Sequence, residues 1–419
     1  MSKDPRGGNL AGRLSTWNHL SSLALGLFLA VALFTSIAAT PQAPVSGNYS
    51  LIKDAAQSIA AGDLDKAETE LQAALRNDAG DYRALNLLGI IRAQQSRNGE
   101  AEQLFKQAIE KKADFTSAHV SLGLLYVQIN QPDKAIAELQ LALKLDPTRE
   151  DALIPLLGLW RSQARAAVQA GDPEKGLALL IEARKAAPKD PAVLFDFGMV
   201  ALRMSLFPDA VKSFQEALAV RPDDAMALYG LGRAQMGLSK FQESKDAFDR
   251  YVKLRPSDPS GHFAFGITLG ALQQNAEARA QFEESVKLQP QQTEAYVQLG
   301  LLDLQENKID SAADHFKQTL ARDPDHAGAL GGLGQVEYRR KNYSAAAGLL
   351  ERAIGRNSAN GTAHYYLGLT YARLGRTEDS EKELQTATRL DREDLDRHRT
   401  VFQLLDPSEA TAPTPTPTK

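Results

Sequence analysis

The sequence predicts an all-α solenoid, a stack of near-identical helical hairpins. Two rulers in the 419 residues carry that reading. Proline recurs at Pro188, Pro222, Pro256, Pro290 and Pro324, each 34 residues from the last. Glycine keeps the same interval at Gly198, Gly232, Gly266, Gly300, Gly334 and Gly368. A fixed period of this size marks a repeat architecture, in which each unit buries its apolar face against its neighbours. The third observation is helical spacing of the apolar residues between the rulers, as in Leu122, Leu125, Tyr126 and Ile129.

The clean units run 82–115, 116–149, 191–224, 225–258, 259–292, 293–326, 327–360 and 361–394. Glycine stands eighth in each. A small residue stands twentieth, as with Ala135, and another usually twenty-seventh, as with Ala142. Small residues at the eighth and twentieth places let two paired helices approach closely. The proline ends the second helix, because it lacks an amide donor and clashes with the preceding turn. Phe214, Phe248, Phe282 and Phe316 are expected to fill the space between neighbouring units.

In phase and in residue type, these units resemble the tetratricopeptide repeat (TPR) family over roughly residues 48–394. The resemblance implies a right-handed superhelical solenoid of about ten helix–turn–helix units, with the first helices lining a concave face. It also implies a protein that holds other proteins, usually without chemistry of its own.

Departures from the pattern fall at the ends and at one insertion. Unit 48–81 has Ala55 in the eighth place and no closing proline, as suits a terminal cap. The last two units carry Ser358 and Arg392 where proline is due. Residues 395–405 read as a separate capping helix, and 406–419 as a disordered Pro/Thr tail. Unit 150–190 holds seven extra residues near Leu153–Leu159. Seven residues make about two helical turns with a drift of about 20°, so the helix lengthens and keeps its face. A protruding helix near Asp151–Gln169 is expected, with Trp160 partly covered and Pro155 kinking it or marking its start.

Composition is ordinary: 43% hydrophobic, 24% charged, net charge -4. That balance gives no support for nucleic-acid binding. The absence of cysteine excludes disulfides, thiolate metal sites and cysteine nucleophiles. A polar basic segment, 1–19, carries Lys3, Arg6 and Arg13 against Asp4. Residues 20–39 follow without a charge, long enough to span a bilayer. They read as a signal peptide, with Ser36-Ile37-Ala38 before the cut, or as an uncleaved transmembrane helix. Residues 40–47 form a linker. The repeats are therefore expected outside the cytoplasm, periplasmic or anchored in a bacterial-type inner membrane.

In the resembled family, the second, fifth, ninth, twelfth and thirteenth places of a unit face the groove. Carried over, these places assign Phe195, Tyr229 and Phe263, with Met199, Met226 and Met236, and Arg161, Arg165, Arg203 and Arg233, against Asp196. Such a groove suits an amphipathic or extended peptide bearing acidic residues. Tyr338, Arg339, Tyr365, Tyr366 and Arg373 form a second candidate patch. A lysine–asparagine carboxylate clamp is not supported, since Asn86 and Ile90 occupy a fifth and a ninth place.

No catalytic, cofactor or metal site is expected. The seven histidines read as scattered, with His315 and His326 solvated on different helical segments. Gly328, Gly331, Gly332 and Gly334 lack the strand-to-helix context of a phosphate loop. The function predicted is a non-catalytic, exported or membrane-tethered scaffold holding a protein or peptide partner. The alternative is a module binding envelope polysaccharide, or an accessory subunit of a secretion or glycan-assembly complex.

Overall fold

A computed structural model of the chain describes residues 47–405, with side chains over 48–393. The readings of 1–19, 20–39, the linker up to residue 46 and the tail 406–419 lie outside the described residues. Among the described residues there are twenty helices and no strand. The chain divides into two compact units at Met204 and Ser205.

The first unit holds α1 (Gly47–Ala60), α2 (Leu64–Asn77), α3 (Tyr82–Gln94), α4 (Asn98–Lys111), α5 (Thr116–Gln128), α6 (Pro132–Leu145), α7 (Glu150–Gln169), α8 (Pro173–Ala186) and α9 (Pro191–Arg203). The second holds α10 (Phe207–Val220), α11 (Ala225–Gly237), α12 (Phe241–Leu254), α13 (Pro259–Ala271), α14 (Asn275–Leu288), α15 (Glu294–Gln305), α16 (Ile309–Arg322), α17 (Ala327–Arg339), α18 (Tyr343–Arg356), α19 (Gly361–Arg373) and α20 (Thr377–Leu405). Within each unit an odd-numbered helix pairs with the even-numbered one after it, and each hairpin stacks on the next. In the first unit the odd-numbered helices of successive hairpins also touch one another.

The glycine ruler has a specific cause. A Cβ built on Gly89 would stand 2.6 Å from the Phe105 ring, and on Gly266 2.6 Å from Phe282. Gly123, Gly334 and Gly368 are pressed in the same way by Leu139, Leu350 and Leu384. In every case the intruder sits sixteen residues later, on the second helix of the same hairpin. Some rings serve two units. Phe316 lies against Gly300 of its own hairpin and against Gly332 of the next, and Phe214 lies against Gly230 of the next. The phenylalanines therefore pack within hairpins as well as between neighbours, and Phe105, Phe214, Phe248 and Phe316 are fully buried. The twentieth place is small because it backs onto the same contact: Ser244 is fully buried and its hydroxyl donates to the Gly232 carbonyl at 2.9 Å.

The turn inside each hairpin repeats as closely. Ser96, Asn130, Ser205, Ser239, Gln273, Asn307 and Lys341 all have φ between 56° and 65°, and Gly171 and Gly375 stand at equivalent places. This is the left-handed residue of a Schellman ending. At Asn130 the amides of Asn130 and Gln131 reach back to the carbonyls of Val127 and Tyr126. Aspartates such as Asp190 and Asp224 cap the next hairpin, each accepting two backbone N–H bonds from its first turn.

The closing proline plays a smaller part than expected. Asp146, before Pro147, is extended (φ -143, ψ 98), as a residue preceding proline must be. Lys112 and Asn357 adopt the same conformation with no proline after them. Proline fits this break but does not create it. The last unit shows what happens when both proline and turn residues are missing. With Arg392-Glu393-Asp394-Leu395 in their place, α20 runs uninterrupted to Leu405, so the expected separate capping helix is its continuation.

The inserted unit has a twenty-residue first helix, α7, beginning at Glu150 and therefore five residues before Pro155. Trp160 on it is 5% exposed, buried rather than partly covered. One face of the extra turns, Leu156 and Leu157, packs into the core with Trp160, while Ile154 on the other face is 51% exposed.

Three histidines are not scattered at all. His119, His262 and His364 each take the fourth place of a unit. Each Nε2 faces a carbonyl in the loop before its helix: Ala113, Pro256 and Ser358. Each Nδ1 faces the twenty-third place: Glu138, Gln281 and Glu383. At His119 both neighbours are acceptors, a carbonyl and a carboxylate, an environment that favours the doubly protonated ring. The hydrogen bond to the Glu138 carboxylate accordingly raises the His119 pKa above its ordinary value. Gln281 can instead turn its amide donor to a neutral His262.

Two predictions follow from the packing and the histidines. Gly332→Ala, driven into Phe316, lowers stability by about 1–3 kcal/mol. Gly331→Ala meets nothing closer than 3.6 Å and raises it by about 0.5–1 kcal/mol. Urea unfolding followed by circular dichroism reads both, and equal effects would refute the ring-under-glycine account. For His119, the stabilisation is complete below the unfolded imidazole pKa of about 6.5 and fades as pH rises through the raised folded value. The melting temperature should therefore fall between pH 6 and pH 9, and Glu138→Gln should flatten that slope.

Candidate partner-binding surfaces

The two units are taken separately, since the predicted groove residues divide between them. In the first unit, α7 supplies Arg161 and Arg165, and α9 supplies Phe195, Asp196, Met199 and Arg203. Arg161 Nε donates to Asp196 Oδ2 at 2.6 Å, and the Arg165 guanidinium stands 3.7 Å from the same oxygen. Asp196 thus takes up much of the positive charge assigned to a ligand. Arg203 is exposed and makes no salt bridge among the described residues. Met199 is 36% exposed, and Phe195 is half-buried.

In the second unit, α11 and α13 carry Met226, Tyr229, Arg233, Met236 and Phe263. Tyr229 and Phe263 both pack into the core beneath them. Tyr229 stands edge-on to Phe248 at 5.7 Å and lies 5.1 Å from Tyr251. Phe263 lies 5.8 Å from Phe282. Burial holds the Tyr229 phenol above its usual value. Burial, helped by donation to Asp258, holds Tyr251 higher still. The aromatic stripe is therefore part core and part surface. What it leaves open is Met226, 50% exposed, and Arg233, which lies over the Tyr229 ring at 6.0 Å. Arg233 makes no salt bridge among the described residues. Met236 is half-buried.

The second patch also lies in this unit. Tyr338 meets Tyr366 at 5.7 Å and 72°, and Tyr365 meets Tyr366 at 5.5 Å and 84°. Tyr343, not foreseen from sequence, joins Tyr338 at 5.7 Å. Arg339 donates to the Leu304 carbonyl at 2.7 Å, and Arg373 is exposed. Nearby, Tyr371 donates to Glu351, and burial above all pushes its pKa up to about 12. Asn86 is buried at 4% exposure, away from any ligand-facing role.

One polar cluster has the residue types of a hydrolase. Asp303 is fully buried, accepting from Ser311 at 2.5 Å and facing His315 Nδ1 at 2.9 Å, with the Arg279 guanidinium in ion-pair contact at 2.8 Å. Burial would raise its carboxyl pKa, but these partners outweigh that and hold it below the usual range. The Ser311 hydroxyl is spent on the carboxylate, not on His315, so no activated nucleophile results. His315 is thus held against the buried Asp303 carboxylate and is not a solvated side chain. His326 caps α17 through Nδ1, accepting from the Ala329 amide. Among the described residues no group of three or more metal-ligating side chains forms a metal site. Gly332 and Gly334 serve the packing described above.

Stacked helical hairpins with aromatic and arginine-bearing first helices define a repeat scaffold that mediates protein–protein interactions. The chain belongs to the tetratricopeptide repeat family. One model so described matches residues 59–114, 161–203, 195–259 and 297–361, and another matches 92–154 and 337–401.

Among curated proteins, the human Protein O-mannosyl-transferase TMTC3 is 34% identical over 117 residues, 28% of this chain and 12% of that protein. Its mouse counterpart is 43% identical over 67 residues, 16% of this chain and 7% of that one. The chain thus spans about an eighth or less of these two relatives. Among solved structures, MamA 41-end from Desulfovibrio magneticus RS-1 has a TM-score of 0.39 at 21% identity, over 40% of this chain and 95% of that one. Yeast Tom70 has 0.41 at 14% identity, over 85% and 91%. These are likenesses of fold alone. No described helix is long and apolar enough to cross a membrane, and residues 20–39 lie outside the described ones.

Proposed function

We infer that the chain is a non-catalytic scaffold that holds an acidic segment of a partner protein on the first-helix faces of its repeats. The observation that carries this reading is the α11 face. There a half-exposed methionine, Met226, and a positive charge without a salt bridge among the described residues, Arg233, flank the edge of a packed tyrosine. Rigid aromatics with arginine are the usual anchors of such interfaces, and methionine adapts to the ligand's shape. On the first unit, Met199 and Arg203 present the same chemistry.

The scaffold is exported or membrane-tethered. Supporting this are the uncharged run 20–39 and the basic residues before it, which stay on the cytoplasmic side. A second reading makes the chain an accessory subunit of a glycan-assembly complex. Its support is the local likeness to relatives named O-mannosyl-transferase.

A photo-crosslinker placed at Met226 should yield discrete protein adducts in membranes of the source cell. Arg233→Glu should weaken that capture by about 1 kcal/mol or more without changing helix content. Capture undiminished by charge reversal would rule out this face. A reporter fused after Lys419 that is active only outside the cytoplasm tests export, and N-terminal sequencing separates a cleaved signal from an anchor.

A further inference from the structure

The groove-facing side of α1, α3 and α5 is closed where later repeats are open. The ninth place of a unit lies at the middle of that side. In these three helices it is Ala56, Ile90 and Leu124, which are 5%, 2% and 6% exposed. Later ninth places are Met199 at 36%, Arg233 exposed, and Ile267, Leu301 and Leu369 half-buried; Gln335, at 9%, is the one that approaches them. Stacking of first helices does not account for the difference. α15, α17 and α19 touch in succession, yet Leu301 and Leu369 stay partly open. Ala56 is buried although α1 has no described helix before it. Each substantial helix contact of α1, α3 and α5 is with a helix one or two places along the chain, so no described helix lies across this side. Ile52, Val120 and Ala93 are buried on the same side. Together they make an aliphatic strip across three helices. It stops at α7, whose Ile154 is 51% exposed.

We propose that this strip holds the chain's own run 20–39, laid across α1, α3 and α5 as a helix whenever the run is neither cleaved nor in a bilayer. Length fits first. Three first helices, about 9 Å from axis to axis and about 11 Å wide, make a floor of about 30 Å. A helix of the twenty residues 20–39 is about 30 Å long. The tether fits next. The run ends seven residues before Gly47, where α1 begins. Eight steps of extended chain reach about 26 Å, and Ala56 lies about 14 Å along α1 from Gly47. Chemistry fits third. A helix apolar on every side needs apolar cover, and a strip of Ile, Val, Leu and Ala without a charge supplies it. Ala56 and Ala93, facing Ala24, Gly26 and Ala30 of the run, let two helices come close. A short tether also holds the run at an effective concentration in the millimolar range, ahead of a free apolar partner.

The proposal goes beyond the partner-binding reading and uses helices other than α11, so either can fail alone. The test takes the full chain, made by cell-free synthesis without membranes, so that the run is intact and has no bilayer to enter. A benzophenone amino acid replaces Phe28, Leu29 or Ala30 in three separate chains, since consecutive residues point about 100° apart and sample every side of a helix. Ultraviolet cross-linking with peptide mass mapping should place adducts within one chain on α1, α3 and α5. Leu25→Glu, Leu27→Glu and Leu33→Glu together should abolish those adducts and leave circular dichroism of the repeats unchanged. Failure of all three probes to react within the chain, adducts confined to other helices, or adducts that survive the three glutamates would overturn the proposal. So would adducts that join chains, told apart by mixing isotope-labelled with unlabelled chain, since the strip would then hold a second copy's run. A failed export assay leaves these outcomes unaffected, because no membrane takes part.

Discussion

One contact organises this molecule: a bulky side chain on each second helix driven against a glycine on the first. Gly89 under Phe105, Gly266 under Phe282 and Gly334 under Leu350 are the same joint in different hands. The joint sets how near paired helices come and which way the second helix turns. Where the ring also presses a glycine of the following hairpin, as Phe316 does with Gly332, it sets the stacking between hairpins as well. Interiors at crystal-like density transmit such constraints, so a methyl group in the wrong place is felt by two hairpins at once.

The surface available for recognition is what this packing leaves over. Fifth-place aromatics such as Tyr229 and Phe263 sink most of a ring against Phe248, Tyr251 and Phe282 and offer only an edge. Discrimination then passes to the groups around that edge. Arg161 and Arg165 are tied to Asp196, while Arg203 and Arg233 are not tied to any carboxylate among the described residues. A ligand meeting these faces therefore encounters sparse charge set in apolar surroundings.

The helical-repeat fold was legible because its signals are local and periodic. Glycine and proline recur at one interval, and helical spacing needs no knowledge of distant contacts. The purpose of the glycine was only half legible. Close approach could be foreseen, but the identity of the intruder, sixteen residues away, depends on how two helices cross. The left-handed turn residue escaped notice because Ser, Asn, Gln and Lys all occupy it, and a backbone angle leaves no single-letter trace. The histidines were missed for a different reason. They occur in three units out of many, and only alignment by unit shows each one nineteen residues before a Glu or Gln. The candidate faces were placed by analogy of position. Whether an arginine there is engaged, as Arg161 is, depends on a carboxylate 35 residues away.

The longer first helix, α7, bears on how such arrays change in length. Its counterparts have twelve to fourteen residues and it has twenty. Adding seven residues turns the continuing helix through nearly two full revolutions, so the downstream half re-enters the stack about 20° from where it began. Adding five would leave it about 140° out, with its apolar stripe toward water. Growth inside a helix of this array is thus quantised: increments close to whole turns are tolerated, and those between them eject the rest of the hairpin from register.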